Sequence, residues 1–179
     1  MFYISEIQNV APATFKTDLQ RLVYETFARL GIPFERVNTD EAITMEDCVS
    51  INERLDMRMV KTLFLCNRQQ TAFYLFITPG DKPFRSKDFS HALNIARVSF
   101  APAERMLEML QTHIGAATVL SMLVDQEKQV TVVFDSEVLA DPWYGCSDGT
   151  TTGYLKLRTS DVTGHFLDHV GHTPLVVTL

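Results

Sequence analysis

A single lysine stands among apolar side chains in the run Val60-Lys61-Thr62-Leu63-Phe64-Leu65, and strand alternation would set it on one face with Leu63 and Leu65. An ammonium on such a face loses hydration. It must meet an anion, titrate below its usual range, or reach out to water. Two uses fit a lysine so placed: a fixed cation in a site, or an edge-strand charge that discourages aggregation.

Other residues could do chemistry, and most carry weaker signals. His165 and His169 are four apart, so on a helix they would share a face, with His172 close behind. No glutamate follows His165, and Gly171 interrupts the register before His172. The three therefore read as surface or helix-end histidines that complement a helix dipole, and no metal site is expected. Cys146 lies in Trp143-Tyr144-Gly145-Cys146-Ser147-Asp148-Gly149, which reads as a turn ahead of a strand. No Gly-x-Ser-x-Gly elbow, phosphate loop or dinucleotide fingerprint is present, so nucleophilic serine chemistry and nucleotide cofactors are disfavoured. In His113-Ile114-Gly115-Ala116-Ala117-Thr118 small residues follow a helix. There the backbone can approach a ligand and offer N–H donors, or Gly115 can simply cap the helix.

Composition bounds the partners. A 46% hydrophobic and 21% charged chain of 179 residues is that of an ordinary globular protein, long enough for one core. With no Pro/Gly/Ser-rich linker or repeat, residues 1–179 read as a single domain. The formal charge of −6 argues against a bulk electrostatic grip on nucleic acid. A local basic rim is still possible in the stretch holding Arg54, Arg58, Lys61, Arg68, Lys82, Arg85 and Lys87. Cys48, Cys66 and Cys146 lack paired spacing and read as reduced thiols. No apolar run approaches the length of a membrane span, and the start Met-Phe-Tyr-Ile-Ser-Glu is unlike a secretory signal; a cytoplasmic location is expected.

The elements that must position these residues follow from periodicity. Leu19, Leu22, Val23, Phe27 and Leu30 predict a helix over 14–30, with a capping box at Thr17 and Gln20 and a stop at Gly31. A short strand at 34–37 precedes a second helix, capped by Thr44 and reaching Leu55. Strands at 59–66 and 71–78 flank the polar turn 67–70, and the second, apolar on both faces, should be central. A short helix capped by Ser86 and a longer one over 99–113 follow, the latter with Ala103, Met106, Leu107 and Leu110 turned inward. Strands are expected at 118–124, 129–134 and 150–157, then a helix over 160–170 and a last strand at 174–177. The sum is an α/β (α+β) fold, a mixed, mostly antiparallel sheet surrounded by helices.

Taken in order, these segments resemble the YbaK/prolyl-tRNA synthetase-associated editing domain family, in particular its free-standing prolyl-tRNA deacylases of the ProX/PrdX kind. Thr44-Met45-Glu46-Asp47 is similar to the family's Thr-x-Glu-Glu helix start, Val60 to Leu65 to its lysine strand, and Gly115 to the first residue of its Gly-x-x-x-Pro loop. Thr150-Thr151-Thr152 and Gly171-His172-Thr173-Pro174 resemble its Asn-Thr-x-Thr strand and Gly-His-x-Pro ending. The likeness runs from about Thr14 to the C-terminus.

This resemblance implies a metal-free hydrolase that frees a wrongly attached small amino acid, typically alanine, from the acceptor end of tRNA for proline. Lys61 would be the catalytic cation. Gly115, Ala116, Ala117 and Thr118 would bind the aminoacyl group, with Thr62 and Thr44 alongside. The chain also departs from the family pattern: Val119 stands where the loop proline is expected, Tyr144-Gly145-Cys146 replaces a Phe-His-Pro segment, Thr62 replaces an asparagine, and Thr39-Asp40-Glu41 replaces a His-x-Pro element. Two functions follow: a deacylase, or a catalytically degenerate relative that binds aminoacyl-tRNA, a synthetase or a small ligand.

Overall fold

The computed structural model describes residues 1–179. Thr17 starts the first helix by accepting the Gln20 N–H at 3.0 Å, and α1 (Asp18–Leu30) stops at Gly31, whose left-handed backbone suits glycine. Only half of the expected capping box forms, because the Gln20 side chain accepts from Lys16 N rather than Thr17 N. After β1 (Glu35–Asn38), Thr44 and Asp47 make a complete capping box at the head of α2 (Met45–Leu55). The two N–H bonds from Thr44 and Ile43 hold the Asp47 carboxyl below its ordinary range.

Next come β2 (Val60–Cys66), β3 (Phe73–Pro79), α3 (Ser86–Leu93), β4 (Ser99–Phe100), α4 (Ala103–Leu110), β5 (Val130–Asp135), α5 (Ser136–Ala140), β6 (Trp143–Ser147), β7 (Gly153–Arg158), α6 (Leu167–Val170) and β8 (Leu175–Val177). The strands form two sheets. One is antiparallel, in the order β1-β7-β6. The other runs β4-β2-β3-β5-β8, antiparallel across β4, β2 and β3 and parallel across β3, β5 and β8. As its two apolar faces predict, β3 is central.

Several sequence expectations are corrected. Residues 118–124 form no strand: Thr118 caps a 3₁₀ turn, Val119–Leu123, by accepting from Leu120 N. The run 143–147 is a strand rather than a turn, since Tyr144 and Cys146 alternate into the core. The helix over 99–113 is shorter, with Ser99 and Phe100 pairing to β2 and Pro102 opening α4. Met106 and Leu110 face inward there, but Ala103 and Leu107 are exposed. Gln111, not Gly115, ends that helix in left-handed conformation. Ser86 is the first residue of α3 and caps nothing. The helix over 160–170 begins as a π-helical segment, Asp161–Phe166.

Burial explains how the sheets sit. The inner faces of both sheets, with α1 and the 3₁₀ turn, enclose the main core, where Phe27, Leu75, Phe134, Tyr144 and Leu155 meet. The opposite face of the larger sheet packs Leu65, Phe76 and Val133 against Phe89 of α3. Truncating a fully buried phenylalanine such as Phe89 would cost about 3–5 kcal/mol. Under α2, Ile51 and Leu55 cover Val37 and Tyr154.

Candidate functional site

The two sheets meet as strands at an isolated parallel bridge between Met59 and Gly145. No ladder joins β2 to β6 beyond it, and a cleft of about 660 Å³ lies here, lined by β2, α2, Gly115 and Ala117 and reached from β6 by Ser147 alone. Phe64, Met106, Ser147 and Tyr154 are buried and form its floor. Met45, Val49, Phe100 and Ile114 are exposed and ring its mouth. An exposed apolar ring of this kind is what a binding surface presents.

The first half of β2 forms one wall through its edge. On that edge β4 pairs only with Leu65 and Cys66, and the Phe64 carbonyl accepts from Ala101 N at 2.9 Å. Strand alternation puts the main-chain N–H and C=O of Thr62 on the same edge, where no strand pairs with them. Across the cleft, Gly115 sits within a turn over 113–116 closed by Ala116 N donating to His113 O. Its φ of +92° favours glycine. The N–H groups of Gly115 and Ala117 donate to no backbone acceptor.

Three charged residues border the cleft: Arg58, Lys61 and Asp81. Arg58 and Asp81 satisfy each other at 2.6 Å, which holds the Asp81 carboxyl below its ordinary range. Lys61 makes no ion pair. Its ammonium donates to the Lys82 carbonyl, and partial burial draws it below its ordinary value while Asp81 opposes that shift. The result is a partly desolvated cation with no carboxylate of its own. The cleft lining thus holds one cation without a carboxylate partner and two main-chain N–H groups without a backbone acceptor, and groups of these two kinds can stabilise negative charge that develops on an ester.

Of the residues singled out from sequence, Lys61, Thr62, Gly115 and Ala117 border this one cleft. Ala116 and Thr118 do not: both are buried, and Thr118 is spent on its cap and on the Cys146 thiol. Thr44 serves the head of α2, and its neighbour Met45 reaches the cleft instead. Tyr144, Gly145 and Cys146 contribute nothing to the walls, whereas Ser147, next along β6, does. Sequence reasoning missed Ser147, Cys48, Asn52 and Tyr154, because only the pairing of β6 with β7 and the packing of α2 bring them together. Alternation along 143–147 would have been the usable signal. The basic rim is mostly neutralised where it nears the site, since Lys82 pairs with Asp135 and Arg58 with Asp81.

The three histidines separate. His165 is exposed and meets Asp161 at 2.7 Å, and His169 is exposed. His172, expected at the surface, is buried against Asp125 at 3.3 Å.

Comparison with known proteins gives a consistent picture. The sequence profile of the aminoacyl-tRNA editing domain matches residues 39–164. Over 177 residues the chain is 25% identical to the Danio rerio prolyl-tRNA synthetase associated domain-containing protein 1, covering 98% of this chain and 94% of that protein. Over 123 residues it is 27% identical to the prolyl-tRNA editing protein ProX of Acetoanaerobium sticklandii, covering 68% of this chain and 74% of that protein. Its fold superposes with a TM-score of 0.64 on the crystal structure of a candidate trans-editing enzyme for prolyl-tRNA synthetase, at 14% identity, covering 92% of this chain and 99% of that one.

Proposed function

The chain belongs to the aminoacyl-tRNA editing domain family, and from that membership we propose that it hydrolyses the ester of a mischarged tRNA, a small amino acid such as alanine on tRNA for proline. The observation that carries this reading is the meeting of Lys61, Thr62, Gly115 and Ala117 on one cleft. Lys61 acts as a fixed cation for the terminal phosphate or the ester. The N–H groups of Gly115 and Ala117 receive the carbonyl oxygen. Water adds to the ester carbon, the growing negative charge rests on those donors, and collapse expels the ribose oxygen, which takes up a proton. Free amino acid and tRNA leave, and no metal or cofactor is required.

Selectivity is steric in this reading. Ala117 together with the buried floor of Phe64 and Met106 limits the aminoacyl group, and Ala116 plays no direct part. The acidic chain gains from a synthetase partner that supplies basic surface for the tRNA body, and it works in the cytoplasm, where charged tRNA is found. No helix is long and apolar enough to cross a membrane.

A second reading, binding without hydrolysis, draws on one observation: none of the residues bordering the cleft is a histidine. A panel of mischarged tRNAs at enzyme excess separates the two. Hydrolysis above the spontaneous rate supports the deacylase, and protection of the ester with no turnover supports the binder.

A further inference from the structure

The ammonium of Lys61 is held by the main-chain carbonyl of Lys82, which lies on a different turn, and that turn is itself locked. Lys82 N donates to Pro79 O at 3.1 Å, closing a turn over 79–82, and Gly80 N donates to Met59 O at 3.0 Å. A Cβ on Gly80 would stand 2.7 Å from that same Met59 oxygen, so the approach of the turn to β2 requires glycine. The Lys82 side chain then turns away from Lys61. Its ammonium lies 2.9 Å from Asp135 Oδ2, 3.0 Å from Glu137 Oε1 and 2.9 Å from the Leu179 carbonyl, which uses all three of its protons. Asp135 is fully buried at the end of β5, where Thr78 Oγ1 and Glu137 N also donate to it. A buried carboxylate with this many donors is a rigid anchor.

We propose that Lys82 is a positioning residue for Lys61: anchored through its side chain to Asp135, it presents its own carbonyl to the Lys61 ammonium and fixes that cation at the cleft. Its effect on rate rests on the deacylase reading of the cleft; the tether itself rests on geometry alone. Neither Lys82 nor Asp135 borders the cleft, so neither touches substrate.

Replacing Lys82 alone would leave Asp135 buried without its cation and could unfold the protein. The informative variant is therefore the pair Lys82→Met with Asp135→Asn, which removes both charges and keeps the acceptor for Glu137 N. The expected result is a folded protein whose single-turnover deacylation rate falls about tenfold, while KM for the aminoacyl-tRNA changes less than about twofold. In a Lys61→Ala background the same pair should change the rate less than about twofold, because the group it positions is gone. A nitrogen-15 titration of the Lys61 ammonium gives a readout independent of turnover: loss of the carbonyl acceptor, which favours the charged form, should lower its pKa. An equal rate loss in the Lys61→Ala background, or an unmoved Lys61 titration, overturns the proposal. If wild-type protein hydrolyses no aminoacyl-tRNA, the deacylase reading falls, and the titration still decides the tether.

Discussion

Met59 and Gly145 form the bridge at which the two sheets join, and Met59 also lines the cleft. The glycine is required by its surroundings: a Cβ there would lie 2.6 Å from the Met57 sulfur and 2.8 Å from its Cε. The junction of the two sheets is thus packed by a flexible side chain.

That flexibility sets the cost of filling the position. Gly145→Ala should destabilise by only about 1 kcal/mol, because Met57 can move aside. Gly153→Ala should cost about 3 kcal/mol or more. Its Cβ would fall 2.2 Å from Asp148 Oδ2, and that carboxylate is fixed by Gln20 Nε2, Tyr24 OH, and the N–H and hydroxyl of Thr150. Urea unfolding of the two variants checks the contrast, and equal losses would contradict it.

Cys48 is half-buried on the cleft wall, whereas Cys66 and Cys146 are buried away from it. Burial, with Asp47 next to it, pushes the Cys48 thiol up, and burial pushes Cys146 up to about 12. Alkylation of the folded protein should therefore be slow at neutral pH, accelerate as pH rises, and fall on Cys48 alone. A non-hydrolysable aminoacyl-adenosine in the cleft should protect it. Peptide mapping by mass spectrometry reads the site, and modification of Cys146 in folded protein would contradict the assignment.

His172 is buried beside Asp125, whose oxygens already accept from Gln129 N and Val130 N. Burial lowers its pKa below the ordinary 6.5, and Lys128 adds to that, while Asp125 opposes it. A folded-state pKa below the unfolded one means that the unfolded chain takes up the proton first. The stabilisation is present above about pH 6.5 and is lost as pH falls from there through the lower folded value. Urea unfolding between pH 5 and pH 8 should show this loss, and His172→Gln should flatten it. A wild-type protein more stable at pH 5 than at pH 7 would contradict the sign.

How much of this was legible beforehand differs by element. α1, α2 and the β2–β3 hairpin carry their own caps, stripes and turn residues, so periodicity placed them. Residues 118–124 misled, because an apolar run holds no period that separates a strand from a buried 3₁₀ turn. The strand 143–147 was hidden by its glycine, which serves the sheet junction rather than a turn. At the site, Lys61 was legible as an oddity on its strand. Ser147 and Tyr154 were not, since their place in the cleft depends on strand pairing, and the Lys82 carbonyl that holds Lys61 is a main-chain group with no residue signature.

The cleft bordered by Lys61 and Gly115 is proposed to remove small amino acids from tRNA. The most direct test is the single-turnover hydrolysis of alanyl-tRNA for proline by excess wild-type protein and by Lys61→Ala. Hydrolysis well above the spontaneous rate is expected, with a loss of about 100-fold or more in the variant and no action on prolyl-tRNA for proline. A Lys61→Ala protein as fast as the wild type would contradict it.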